Sequence, residues 1–109
     1  MSTARIGCGV AVVENMLYAI GGFDGTNYLN TVERYDPAKN SWETVAAMST
    51  PRRCPGAVAY DGMLVVMGGA ASENSLVSSI ERYSPASNSW EALDAVMSSP
   101  RAFFGCASM

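Results

Sequence analysis

The feature that most constrains this chain is a short phrase that occurs three times along its 109 residues. The phrase begins at Met1, Met48 and Met97. It consists of a methionine, two small hydroxyl residues and, two positions later, an arginine. Other landmarks occur twice at matching positions: Gly21-Gly22 and Gly68-Gly69, Tyr35 and Tyr83, and Asn40-Ser41-Trp42-Glu43 and Asn88-Ser89-Trp90-Glu91. A period of 47 to 49 residues built of short apolar runs is typical of repeat proteins. We therefore divide the chain into repeat 1 (residues 1–47), repeat 2 (residues 48–96) and the start of a third repeat (residues 97–109).

Each complete repeat predicts four short strands, at residues 9–13, 16–20, 31–35 and 41–45 in repeat 1 and at 56–60, 63–67, 79–83 and 89–93 in repeat 2. Asp61-Gly62 separates two apolar runs, which predicts a hairpin turn with positive φ at both residues. The first two strands of each repeat lack polar alternation, so we expect both of their faces to be buried. No stretch of ten or more residues has apolar positions at helical spacing without a glycine or proline. The sequence therefore predicts an all-β protein of repeated four-stranded antiparallel sheets.

Composition excludes several classes of function. The net charge is −3 and histidine is absent, which argues against a nucleic-acid or anionic membrane surface. The apolar runs of about five residues are far shorter than the roughly 20 that span a bilayer, and no charged-then-apolar leader opens the chain. Without histidine or a nucleophile beside a base, we expect no enzyme, and Glu33 and Glu81, at equivalent positions, are expected to brace each sheet through hydrogen bonds.

The three cysteines, Cys8, Cys54 and Cys106, are odd in number and fall at different offsets in the repeats. A disulfide framework uses paired cysteines, so we expect free thiols in a reducing, cytoplasmic compartment. The alternative is redox sensing at Cys54, because the neighbouring Arg52 and Arg53 favour a thiolate. Without a CxxC spacing or a histidine, we expect no metal and no cofactor.

Several local sequences resemble the kelch repeat. They are the Gly-Gly pair closing the second strand, Phe23-Asp24-Gly25-Thr26, Val32-Glu33-Arg34-Tyr35-Asp36-Pro37 and Asn40-Ser41-Trp42. The resemblance implies that each repeat is one blade of a β-propeller, which we expect to have six blades. Repeat 2 departs from the pattern, since Ala70-Ala71-Ser72 replaces Phe23-Asp24-Gly25.

Repeat 1 is most similar to the BTB-kelch substrate adaptors of cullin ubiquitin ligases, in Arg5-Ile6-Gly7 through Asn30. This implies a substrate-recognition module that binds a protein or peptide. The alternatives are a structural or actin-associated kelch scaffold and, more distantly, a kelch enzyme such as a sugar mutarotase or a copper oxidase.

Two blades alone would leave apolar flanks uncovered, whereas propellers close with roughly four to eight blades. The chain is therefore expected to be a piece of a longer kelch domain or a short protein that self-assembles into a ring. We favour the first, because residues 105–109 repeat an inner strand that residues 9–13 of the next chain in a ring would supply. Self-association through the open flanks is expected in either case.

In a propeller, the loop from a blade's fourth strand to the next blade and the loop between second and third strands share one rim. The candidate peptide-binding residues on that rim are Arg5, Phe23, Asn27, Tyr28, Asn30, Arg52, Arg53 and Arg101. Arginine beside aromatic rings is typical of interface hot spots. The resemblance implies a pocket for a degron peptide, with Arg5 and Tyr28 among the contacts, and the arginines favour an acidic peptide. The alternative for the repeated arginines is structural, closing a loop onto backbone carbonyls.

Overall fold

The computed structural model describes residues 5–96 and 107–108, and within these ranges it is all-β without a helix. The strands are β1 (Ile6–Val13), β2 (Met16–Ile20), β3 (Val32–Asp36), β4 (Ser41–Val45), β5 (Gly56–Tyr60), β6 (Met63–Met67), β7 (Ala70–Ser72), β8 (Ser75–Leu76), β9 (Ser79–Ser84), β10 (Ser89–Val96) and β11 (Ala107–Ser108).

Two antiparallel sheets correspond to the two repeats. Blade 1 consists of β1, β2, β3 and β4 in that order, with β11 paired to the free edge of β1. Blade 2 consists of β5, β6, β9 and β10 in the same order. Each repeat thus forms a four-stranded antiparallel sheet, and the all-β prediction is confirmed.

Tight turns fix the register of the inner hairpins. Asp61 and Gly62 have φ values of 54° and 71°, and Glu14 and Asn15 in blade 1 have φ values of 51° and 64°. Both turns therefore have the two positive φ angles that a short hairpin of right-handed twist needs, as predicted for Asp61-Gly62.

The strand bounds differ from the prediction in several places: β3 is shifted by one residue, β9 ends one residue later, and β10 ends at Val96 rather than at residue 93. β1 begins at Ile6 rather than at residue 9. A small hairpin, β7–β8, occupies a segment that we predicted to be a loop. The expected third repeat lies outside the described residues, apart from Ala107–Ser108, which pairs with β1.

The core lies between the two blades. Its fully or almost fully buried side chains are Val13, Tyr18, Ile20, Val32 and Val45 from blade 1, Met48 from the segment between β4 and β5, and Leu64, Val66 and Tyr83 from blade 2. The two blades therefore pack face to face, through one face of each sheet.

The expectation that β1 and β5 are buried on both faces is wrong for this chain. Val12 in β1 is 59% exposed, and Val58 and Tyr60 in β5 are 49% and 73% exposed. Successive side chains of a strand point to opposite faces, and the contact between the two blades covers only one face of each sheet.

Candidate functional site

Two loops meet on one rim of the molecule, which we call the loop rim. They join β2 to β3 (residues 21–31) and β4 to β5 (residues 46–55). The Gly22 N–H donates to the Arg52 carbonyl at 2.7 Å, and the Arg52 N–H donates to the Leu29 carbonyl at 3.0 Å. These bonds confirm that the two kinds of loop share one face.

Arg5, just before β1, lies under this rim and is 2% exposed. Its Nη1 donates to the Gly21 carbonyl at 2.8 Å and to the Thr31 carbonyl at 2.9 Å. Its Nη2 donates to Glu33 Oε2 at 2.9 Å. The side chain thus ties the start of β1 to both ends of the β2–β3 loop.

Arg52 repeats the arrangement in blade 2 and is 0% exposed. Its Nη1 donates to the carbonyls of Gly68 and Ser79, at 2.8 and 2.9 Å, and its Nη2 donates to Glu81 Oε2 at 2.9 Å. Glu81 Oε1 accepts from the backbone N–H of Ser49 at 3.0 Å. A buried carboxylate and two carbonyls therefore hold each guanidinium.

These contacts correct the expectation that Arg5 and Arg52 present charge on the rim. Both guanidinium groups are buried because loop carbonyls and a strand glutamate replace water around them. The contacts favour the structural alternative, in which these arginines close a loop onto backbone carbonyls. The expected bracing by Glu33 and Glu81 is confirmed by the same hydrogen bonds.

Arg53, Phe23 and Tyr28 form a half-buried group on the loop rim, which we call the aromatic cluster. The Phe23 and Tyr28 rings lie 5.1 Å apart at 60°, and the Arg53 guanidinium carbon lies 5.1 Å from the Phe23 ring centroid. Backbone bridges hold Phe23 to Ile6 and Tyr28, and Arg53 to Ala70. The cluster therefore joins the two repeats, through a cation–π contact of about 0.5–1 kcal/mol.

The tip of the β2–β3 loop is set by Asp24. Its Oδ1 accepts from the backbone N–H groups of Asn27, at 2.7 Å, and Thr26, at 2.9 Å. The hydrogen bond from Asn27, and to a smaller extent that from Thr26, holds the pKa of the exposed Asp24 carboxyl below its ordinary value. The turn leaves the Asn27 side chain exposed, next to the aromatic cluster in sequence.

The remaining candidates are placed differently. Asn30 is half-buried and donates its side-chain N–H to the Met48 carbonyl at 3.1 Å, so it joins the two loops. Arg101 lies outside the described residues. The β7–β8 hairpin of blade 2 exposes Glu73 and Asn74 beside the rim.

The cysteines also require a correction. Cys54 takes part in a disulfide, so the expectation of a free thiol does not hold there. Cys8 is buried beside Arg5, and burial raises the pKa of its thiol, with the Arg5 charge opposing that shift. Across residues 5–96, no group of three or more potential ligand side chains could hold a metal ion. The described part of the chain also contains no helix long and apolar enough to cross a bilayer.

The chain is similar to proteins of one family over most of its length. The kelch motif matches residues 4–49 and 51–94. Human Kelch-like protein 35 is 43% identical over 61 residues, which are 56% of this chain and 10% of that protein. Zebrafish Kelch-like ECH-associated protein 1B is 43% identical over 74 residues, 64% of this chain and 13% of that protein. Human Kelch repeat and BTB domain-containing protein 8 is 41% identical over 70 residues, 61% of this chain and 12% of that protein. The chain thus spans about a tenth of the length of these relatives.

Proposed function

Because this chain belongs to the kelch-repeat family and its repeats form β-propeller blades, we propose that it binds a protein segment at its loop rim. We propose further that the parent protein uses this rim to recognise substrates for a cullin-type ubiquitin ligase. The relatives support the adaptor role, since the name of one of them states that it contains a BTB domain.

The observation that carries the proposal is the aromatic cluster. Phe23 and Tyr28 are half-buried rings on a rim, and Arg53 lies over one of them. Aromatic and arginine side chains that are anchored but still accessible are the residues that dominate binding energy at protein interfaces. The backbone bridges hold the cluster in place before a ligand arrives, which lowers the entropy cost of binding.

An acidic peptide fits this cluster best. Arg5 and Arg52 are held by internal carbonyls and carboxylates, so among the described residues of these loops Arg53 offers the accessible guanidinium. A guanidinium that lies over a ring still presents N–H groups to a carboxylate. We therefore propose Arg53, Phe23 and Tyr28 as the main contacts, with Asn27 as a neighbouring hydrogen-bonding side chain.

Calorimetry with acidic peptides tests this assignment. Arg53→Ala is expected to weaken binding by about 10–100-fold, corresponding to a charge-assisted hydrogen bond of about 1.5–3 kcal/mol. Added salt is expected to weaken binding of the unmodified chain, because exposed charges are screened. The matched control is Arg82→Ala, which removes the same charge from the partly exposed ion pair with Glu91.

The proposal fails if Arg53→Ala and Arg82→Ala weaken binding equally, because the effect would then be one of net charge. It also fails if no acidic peptide binds the folded chain. The adaptor role has a separate test, namely ubiquitination of the bound protein by the full-length parent with and without Arg53→Ala. Binding without ubiquitination would leave a binding module and remove the ligase role.

A further inference from the structure

A cavity of about 350 Å³ lies between the two blades, at the end of the molecule opposite the loop rim. Because neighbouring strands of each blade are antiparallel, the β1–β2, β5–β6 and β9–β10 turns all lie at this end, which we call the turn rim. Residues of all three turns line the cavity. Both of its walls therefore come from consecutive blades of one chain, and it is not part of either outer flank.

The walls of the cavity are mostly apolar. Met16 of blade 1 and Met63 of blade 2, at equivalent positions of the two repeats, line it together with Val13 and Pro85. Both methionines are half-buried, and their flexible, polarisable side chains adapt to the shape of what they contact. Cavities of this size, with apolar walls and a few polar groups, are typical of sites for small ligands.

Two exposed carboxylates, one from each blade, lie beside these apolar walls. Glu14 and Asp61 occupy equivalent positions of the two inner hairpin turns, and both line the cavity. Glu14 Oε1 lies 3.5 Å from the position that a Cβ on Gly62 would take, so the Glu14 side chain reaches the turn that contains Asp61. Among the residues that the structure describes, neither carboxylate takes part in a hydrogen bond or an ion pair. The two acceptor groups are therefore available to a ligand.

Arg34, which also lines the cavity, is already paired with another carboxylate. Its Nε donates to Glu43 Oε1 at 2.5 Å, and its Nη1 donates to the Tyr18 hydroxyl at 3.4 Å. The charges of Arg34 and Glu43 compensate each other, so Glu14 and Asp61 leave the cavity with an excess of negative charge. The ligand that complements this charge and the apolar walls is an organic cation with a short hydrocarbon chain.

We propose that this cavity binds an alkylammonium group, with the ammonium at Glu14 and Asp61 and the hydrocarbon chain against Met16 and Met63. Such a group is the end of a lysine side chain in a protein segment or a free small amine. Two carboxylates on separate turns suit the three N–H donors of a compact ammonium, whereas the fork of a guanidinium matches a single carboxylate. Apolar walls cover the methylene groups, which a lysine stem buries readily while its charge stays near water. The proposal is independent of peptide binding at the loop rim.

Nuclear magnetic resonance of the methionine methyl groups tests the proposal on the intact chain. The probes are n-butylamine and a short peptide with one lysine, and their uncharged counterparts are n-butanol and the same peptide with the lysine acetylated. A probe that binds is expected to shift the Met16 and Met63 methyl signals and to leave that of Met48, in the β4–β5 loop, unchanged. The uncharged counterpart is expected to bind at least about threefold more weakly, because it lacks the pairing with the carboxylates. Binding of the peptide alone would assign the site to a protein segment, and binding of butylamine would assign it to a free amine as well.

Charge-removing variants of the same size identify the carboxylates. Glu14→Gln and Asp61→Asn are each expected to weaken binding by about 3–10-fold. Both side chains are exposed, and asparagine accepts the positive φ of position 61, so both variants are expected to fold. Glu73→Gln is the matched control, because it removes the same charge from the exposed β7–β8 hairpin, and it is expected to leave binding unchanged.

Three results would overturn the proposal. The first is that neither charged probe shifts the Met16 and Met63 signals at concentrations up to about 10 mM. The second is that folded Glu14→Gln and Asp61→Asn bind as tightly as the unmodified chain. The third is that Glu73→Gln weakens binding as much as they do, since the effect would then be one of net charge.

Discussion

Tyr18 of blade 1 and Tyr83 of blade 2 meet edge to face, with ring centroids 5.8 Å apart and planes at 61°. They are 1% and 0% exposed. The two residues occupy different positions of the repeat, since Tyr83 corresponds to Tyr35 and Tyr18 corresponds to Val65. The contact between the blades therefore joins two different faces, and identical residues of the two repeats have different surroundings.

The two tryptophans should differ in their effect on stability. Trp90 donates a hydrogen bond to Ala46 and packs on the core, so Trp90→Ala should cost about 3–5 kcal/mol of unfolding free energy. Trp42→Ala should cost only about 1–2 kcal/mol of unfolding free energy, because Trp42 lies on the face of blade 1 that blade 2 does not cover. Urea unfolding of both variants under monomeric conditions measures the difference. Equal losses would contradict the assignment of covered and uncovered faces.

Arg52→Ala should destabilise the fold rather than act only on binding. It would leave the buried Glu81 carboxylate without its cation, at a cost of about 3–5 kcal/mol. Arg34→Ala, which breaks the more exposed pair with Glu43, should cost about 0–1 kcal/mol for the ion pair itself. Thermal and urea unfolding of the two variants provide the comparison. A small loss for Arg52→Ala would show that its guanidinium is solvated.

Gly21→Ala should prevent the two loops of the rim from meeting. The Gly21 φ angle is 64°, and an added Cβ would lie 2.2 Å from the Arg52 carbonyl oxygen. We expect a loss above about 4 kcal/mol, because the clash adds to the backbone strain. Gly25→Ala is the control, since its φ angle is 99° but an added Cβ meets no atom within 4 Å. Melting temperatures that fall equally in both variants would show that strain alone decides.

Stability should fall at alkaline pH through Tyr83. Burial raises the pKa of this phenol above its ordinary value of 10.0, with Tyr18 adding to the shift. The folded state then holds its proton at a pH where the unfolded state loses it, so the contribution is complete below pH 10 and is lost as the pH rises through the folded pKa. Urea unfolding between about pH 8 and 11, a range that includes the ordinary pKa of tyrosine, measures how the unfolding free energy falls with pH.

Two phenylalanine variants separate Tyr83 from the other groups that titrate in this range. Tyr83→Phe should flatten the alkaline loss of stability, although it also removes the hydrogen bond to Asn88 and lowers stability at neutral pH. Tyr60→Phe is the matched control, because it removes a hydroxyl from a tyrosine that is 73% exposed. An unaltered slope in Tyr83→Phe would assign the alkaline loss to another group.

Much of the fold could be predicted from local patterns. The four strands of each blade and the hairpin turn at Asp61-Gly62 depend on residues close together in the chain, and the structure contains them with strand bounds within three residues of those expected. The β7–β8 hairpin was missed because Ala70-Ala71-Ser72 and Ser75-Leu76 are too short and too polar to show an alternation. Phe23 and Tyr28 could be placed on the rim because both lie in the loop between the second and third strands of repeat 1, and their role in binding stays a prediction.

The sequence by itself determined that the chain is built of kelch blades and that both kinds of loop share one rim. Only the tertiary structure decided which arginines lie on the rim surface. Arg5 binds groups 16 to 28 residues away, so its burial depends on carbonyls and a carboxylate that meet only in the folded sheet. Likewise, Tyr35 and Tyr83 occupy equivalent positions of the two repeats. Their burial differs because the contact between the blades covers only one of them. The alternation of side chains along a strand does not specify which face will be covered.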